Sequence, residues 1–219
     1  MSGIIDLTHT IEEGMPVFPG AEQPRLLQAF TLEADGFREK KLTFHSHTGT
    51  HMDAPAHVLD DPRTLDRFPV DRFVGSAISI RTPRGENAVI EVGDLYRREA
   101  EIAQCDYLLL NTGWERFWGD ERYFGGFPVL SVEAARWLGD LGLKGVGVDA
   151  ISVDPVASAE LPVHRELLSR GMVIVENLAN LDALPEGSFL FCCLPLKIKG
   201  ADGAPVRAVA IEGRDALRV

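Results

Sequence analysis

Cysteine is scarce in this chain: Cys105, Cys192 and Cys193, two of them adjacent and none in a Cys-x-x-Cys spacing. An odd count with that spacing argues against a disulfide framework, leaves thiolates out of a metal site, and fits a reducing cytoplasm. Basic residues are outnumbered, 22 Lys and Arg against 33 Asp and Glu, for a formal net charge of −11. A surface of that sign repels nucleic acid and anionic membranes, so neither is expected as a partner. No apolar run approaches the roughly 20 residues of a membrane span, and Met1-Ser2-Gly3 leads straight into Ile4-Ile5-Asp6-Leu7 with no signal-like stretch. Internal repeats, low-complexity tracts and linkers are lacking too. The 219 residues, 45% hydrophobic and 25% charged, are read as one domain over 1–219.

What the chain does have is histidine, concentrated in one place. His45, His47, His51 and His57, four of the six, fall in a single short run with Asp53 among them. Imidazoles and a carboxylate are costly to bury together without a partner, and a divalent metal is the usual one. Imidazole suits zinc, manganese or iron, and carboxylate shifts the balance toward harder ions. His47 and His51 have the spacing of a helical zinc motif, but Thr48, Gly49 and Thr50 between them, and Pro55 soon after, disfavour a helix. The expectation is an extended segment whose alternate residues 45, 47, 51, 53 and 57 share one face, with Gly49 leaving room and His57 reaching in from a loop. His45, after Phe44, is expected at the surface or behind the ligands.

Short β-branched or apolar runs bounded by turn residues predict strands over Ile4–Thr8, Arg25–Leu32, Lys41–His47, Ala77–Ile80, Tyr107–Asn111, Gly145–Val148, Val173–Glu176, Ser188–Cys193 and Arg207–Ile211. Helices are predicted over Val92–Ala103, Val132–Leu141 with Ser131 as its N-cap, and Ala159–Ser169. Helix and strand alternate from 94 to 176, the pattern of parallel β-α-β units, so the fold class is α/β. His164 falls in the last helix and Glu176 at the end of an apolar strand, where α/β sheets bind ligands. Taken alone, each is as readily an ordinary surface or strand-end residue. Asn111, Asp149, Ser152 and Asp154 read as turn and capping residues. Phe18, between Pro16 and Pro19, forms a rigid aromatic platform, either a substrate wall or packing.

The run His47-Thr48-Gly49-Thr50-His51-Met52-Asp53-Ala54-Pro55-Ala56-His57 resembles the H-x-G-T-H-x-D-x-P-x-H signature of the cyclase family of metal-dependent hydrolases. That family includes bacterial kynurenine formamidase and is related to isatin hydrolase. Ile5–Thr8, Pro16–Gly20, Asn111–Trp114, Gly147–Asp154 and the segments 194–197 and 205–207 extend the likeness, and His164 and Glu176 match the family's second pair of site residues. The resemblance implies a swivelling β/β/α fold, with a mixed sheet and helices packed on it, in a homodimer or higher homo-oligomer. It implies one or two zinc ions per subunit, or manganese: His47, His51 and Asp53 on the first, Asp53 bridging to a second held by His164, and Glu176 on both. His57 would be the general acid/base. Phe18 stands where the formamidases carry a substrate-contacting tryptophan. The implied activity is hydrolysis of N-formyl-L-kynurenine to L-kynurenine and formate. The alternatives are another cyclic or aryl amide such as isatin, or a non-catalytic metal or small-molecule binding protein on the same fold.

Overall fold

Apolar runs too short for helices form the centre of the sheet. In the computed structural model, which describes residues 3–213, the strands are β1 (Ile4–Asp6), β2 (Arg25–Phe30), β3 (Glu39–Thr43), β4 (His51–Asp53), β5 (Val74–Arg81), β6 (Val89–Ile90), β7 (Tyr107–Asn111), β8 (Val129–Leu130), β9 (Gly145–Val148), β10 (Val173–Glu176), β11 (Phe189–Pro195) and β12 (Gly203–Ile211). The helices are α1 (Leu32–Asp35), α2 (Val92–Tyr96), α3 (Glu99–Ile102), α4 (Val132–Asp140) and α5 (Pro162–Ser169). Residues 1–2 and 214–219 of the expected domain lie outside the described residues.

Strands β5, β7, β9 and β10 are parallel neighbours, with α2 to α5 in their crossovers, as the alternating pattern predicts. Strand β11 pairs antiparallel with β5 and with β12. Three-residue β4 then pairs antiparallel with both β10 and β12, which closes the sheet on itself, and β1 adds to the outer side of β12. The result is a mixed, closed α/β sheet with helices packed on it, the fold class expected.

Side-chain alternation divides the core in two. Tyr107, Leu109, Val173 and Val175 point inward with Phe189, Phe191 and a row of small residues, Ala204, Ala208 and Ala210, on β12. Leu108, Leu110, Val146, Val148 and Ile174 point outward and are covered by Leu95, Ile102, Ala134, Leu138, Val163 and Leu167 of the helices. Ser131 caps α4 by accepting from the Ala134 N–H at 3.1 Å, as expected.

Three expectations are corrected. The helix expected over Val92–Ala103 is two short pieces, α2 and α3, interrupted where Arg98 adopts φ −111° and ψ 14°. The helix expected from Ala159 begins at Pro162, because Leu161 adopts φ +48° and ψ 56°, outside the right-handed helical region. The strand expected over Lys41–His47 stops at Thr43, and the next strand begins only at His51. The histidine run is therefore not one extended segment: Gly49 turns the chain at φ +63°, a conformation that costs glycine little.

Candidate metal centre

The β4–β10 register sets His51 opposite Glu176 and Asp53 opposite Ile174. Met52, between them, packs into the inner core, so His51 and Asp53 face the helix layer. There they meet His164, which α5 carries in its first turn. Glu176 ends β10, at the carboxyl edge of the parallel strands. His57 arrives from a 3-10 turn, Pro55–His57, just after β4, and His47 from the irregular loop before it. The structure thus gathers His47, His51, Asp53, His57, His164 and Glu176, though a loop, a strand and a turn do the work expected of one extended run. His45 is exposed, apart from the cluster.

The hydrogen bonds orient these rings. His51 Nδ1 lies 2.8 Å from the Gly49 carbonyl oxygen, an acceptor, so Nδ1 carries the proton. Its bare Nε2 then faces Asp53 Oδ1 at 3.4 Å and Glu176 Oε2 at 3.5 Å. In the same way His164 Nδ1 lies 2.7 Å from Asp154 Oδ2, and Nε2 faces Glu176 Oε1 at 3.2 Å and Asp53 Oδ2 at 3.6 Å. The Val153 N–H donates to Glu176 Oε1 at 3.1 Å, fixing that carboxylate. Asp53 is fully buried and its Oδ2 accepts no hydrogen bond. Two imidazole lone pairs aimed at carboxylate oxygens repel one another unless a positive charge stands between them. Metal–ligand bonds of about 2.0–2.1 Å put neighbouring ligands of a tetrahedron roughly 3.3–3.4 Å apart. The spacing, the donor set and the orphaned oxygen all fit a divalent cation.

His47 is held differently. Its Nδ1 lies 2.7 Å from Asp53 Oδ1 and its Nε2 3.1 Å from Asp202 Oδ2. Its ring abuts Gly203, where a Cβ would come within 2.4 Å of Cε1. Asp202 Oδ2 also lies 3.5 Å from His57 Nδ1, and the His47 and His57 ring centroids are 3.9 Å apart. Ligand atoms of His47, His51 and Asp53 lie within 4.8 Å of one another, as do those of Asp53, His57 and His164, and of His47, His57 and Asp202.

Charge in the metal-free protein tells the same story. Burial opposes a charged His47, but Asp53 and Asp202 outweigh it and raise the group to about 10. Burial likewise opposes a charged His164, yet its bonds to Asp154, Asp53 and Glu176 hold it well above the usual range. Burial disfavours the Asp53 carboxylate, and the His47 charge and hydrogen bond, with the His164 and His51 rings close by, still hold it well below its usual range. Protons on the imidazoles supply the positive charge that the carboxylates demand. His57 is the exception: desolvation lowers it, so it is neutral at pH 7 and able to accept a proton.

A cavity of about 300 Å³ opens onto the cluster, walled by Pro16, Val17, Phe18, Ile151 and Leu161. Phe18 is 42% exposed at its rim. Asn111 is not part of this wall; it bonds Asp182 and Arg84 instead. Asp149 departs from the local turn role expected of it: it accepts from the Thr112 and Trp114 N–H groups of the distant loop after β7. Asp154 does more than the capping expected of it, since it binds the His164 ring as well as the α5 N–H groups of Val163 and His164. Asp202 carried no sequence signal, standing 155 residues from His47.

The family described as "Putative cyclase" matches residues 5–155. A kynurenine formamidase of Erythrobacter litoralis is 32% identical over 214 residues, 97% of this chain and 95% of its own length. Isatin hydrolase A of Labrenzia aggregata superposes with a TM-score of 0.85 at 26% identity, covering 96% of this chain and 93% of its own. A structure described as a potential metal-dependent hydrolase with cyclase activity gives 0.81 at 29% identity, covering 98% and 100%.

Proposed function

Because this chain belongs to the cyclase family of metal-dependent hydrolases, we propose that it is an arylformamidase, hydrolysing N-formyl-L-kynurenine to L-kynurenine and formate. The observation that carries this reading is the convergence of two oriented imidazole Nε2 atoms and two buried carboxylates at the floor of an apolar-walled cavity. His47, His51, Asp53, His164 and Glu176 would hold one or two zinc ions, or manganese, as that mix of imidazole and carboxylate suits. Such an ion supplies Lewis-acid polarisation of a carbonyl and makes water acidic enough to ionise near neutral pH.

The chain's own groups do the rest. Phe18, with Pro16 and Val17, receives the aryl ring and keeps bulk water from one side of the reacting amide. His57, neutral and half-buried, accepts a proton from the attacking water and delivers it to the departing aryl nitrogen as the C–N bond breaks. The atoms of one water are then divided between formate and the amine. Asp202, beside His57 Nδ1, steadies the ring with Nε2 free for that transfer. Self-association into a homodimer or larger homo-oligomer in the cytoplasm belongs to the same reading. The apolar Leu27, Phe30 and Leu42, exposed on the β2–β3 hairpin, support the self-association.

One observation favours a second substrate. Phe18 is smaller than the tryptophan of the formamidases, and the likeness to isatin hydrolase A spans nearly the whole chain. The deciding experiment measures turnover of N-formyl-L-kynurenine and of isatin by protein stripped with chelator and reloaded with zinc or manganese. Metal-restored release of formate and kynurenine is the expected result. Metal-restored opening of isatin alone keeps the site and replaces the substrate, and metal binding without either turnover keeps the site and rejects both substrates.

A further inference from the structure

Leu161 breaks two local rules at once. It is the N-cap residue of α5, a position that favours Ser, Thr, Asp or Asn in extended conformation, yet it is apolar and left-handed at φ +48° and ψ 56°. A branched side chain rarely adopts that region, and the residue before a proline is restricted further, here by Pro162. The surroundings impose the conformation. The Leu161 N–H donates to Ser158 Oγ at 3.3 Å, and its carbonyl accepts from the Arg165 N–H at 3.0 Å. Capping is delivered from elsewhere, by the Asp154 carboxylate on the N–H groups of Val163 and His164. Nothing in the helix start therefore needs a leucine. Glycine or asparagine would take this geometry at less cost.

What the leucine provides is a wall. Leu161 is half-buried and lines the same cavity as Pro16, Val17, Phe18 and Ile151, above the histidine and carboxylate floor. Strain kept at a ligand cavity, where a relaxed residue is available, is the pattern of a selected functional position. From this we propose that Leu161 is a specificity-determining residue. Its strained backbone is retained to set a branched apolar side chain against the substrate, narrowing the cavity to planar aryl amides over flexible alkyl ones. The proposal rests on the amide-hydrolase reading of the site for its substrate class, but not for its geometry.

The test compares wild type with Leu161→Gly and Leu161→Ala in two readouts. The first is binding of formanilide and N-butylformamide to the metal-free protein by calorimetry. The second is turnover of both by the metal-loaded enzyme. Removing the side chain should lower the aryl-over-alkyl preference about tenfold or more, since each lost methylene contact in an apolar pocket carries a factor of that order. The change should fall on binding and KM, with kcat for formanilide retained. Leu161→Gly should also melt higher than Leu161→Ala, because only glycine relieves the left-handed backbone. A preference lost in binding without turnover by any of the proteins upholds the role of Leu161 and refutes the reaction. An aryl preference absent from wild type or unchanged in both variants, or alanine melting above glycine, overturns the proposal even where wild-type turnover is normal.

Discussion

Replacing Asp154 with alanine tests how far one buried carboxylate supports both the helix and the metal centre. Asp154 is fully buried and accepts three hydrogen bonds: from the Val163 N–H at 3.0 Å, the His164 N–H at 2.9 Å and His164 Nδ1 at 2.7 Å. A buried donor left without an acceptor costs about 1–3 kcal/mol. Three donors would sum to about 3–9 kcal/mol, and water entering the vacated volume brings the expected loss to the lower part, about 3–5 kcal/mol. A domain whose whole stability is about 5–15 kcal/mol has little left after that. The second effect is on the ion. Losing the acceptor that fixes a ligating imidazole typically weakens metal binding about 10–100-fold. Asp154→Asn preserves volume but turns an amide N–H₂ toward donors, and should fall between wild type and alanine in both properties. Urea unfolding of the metal-free protein measures the first quantity, and zinc competition against a chelator of known affinity the second. If Asp154→Ala unfolds within about 0.5 kcal/mol of wild type, the size expected of a change that touches nothing, and keeps its zinc affinity, the reasoning about α5 and His164 is wrong.

Other perturbations separate the parts of the site. His57→Ala should retain the full metal content by elemental analysis while turnover of N-formyl-L-kynurenine falls about 10²–10⁴-fold, the contribution of a positioned acid/base; loss of metal would make His57 a ligand instead. Gly203→Ala would drive a Cβ to 2.4 Å from His47 Cε1, so the ring must move, and metal stoichiometry and turnover should drop together. Glu115 is raised to about 7 by burial and then by the neighbouring Asp149 charge. Its unfolded value lies near 4.5, so the folded state binds the extra proton and stability falls as pH rises from there through about 7. Glu115→Gln removes that slope, and the wild type should lose more of its melting temperature than the variant between pH 5 and pH 8.

The parallel centre of the sheet was legible because Tyr107–Asn111, Gly145–Val148 and Val173–Glu176 are apolar on both faces and too short for anything else. The helix over Val92–Ala103 was not legible as two pieces, since a continuous polar–apolar pattern does not register a backbone that turns out of helix at Arg98. The histidine run drew attention through composition alone. Its path did not follow from composition, because the turn at Gly49 is held by a distant part of the chain: the Gly49 carbonyl accepts from Asn177 Nδ2. Asp202 and Asp154 were invisible as partners of the imidazoles for the same reason. A carboxylate in a turn looks the same in sequence whether it faces water or, as Asp202 does, a histidine 155 residues away.

The seam of the sheet has a consequence for how the protein is made. Strand β4 has only three residues, and both of its partners are C-terminal to it, the later one beginning at Gly203. About 150 residues must follow His51 out of the ribosome before the seam can close, roughly 8–30 s at ordinary translation rates. Until then the segment carrying His47, His51 and His57 lacks at least one of the two strands that flank it in the finished sheet. The candidate ligands therefore come together only late in synthesis, when β10 brings Glu176 and the turn before β12 brings Asp202 to the histidines.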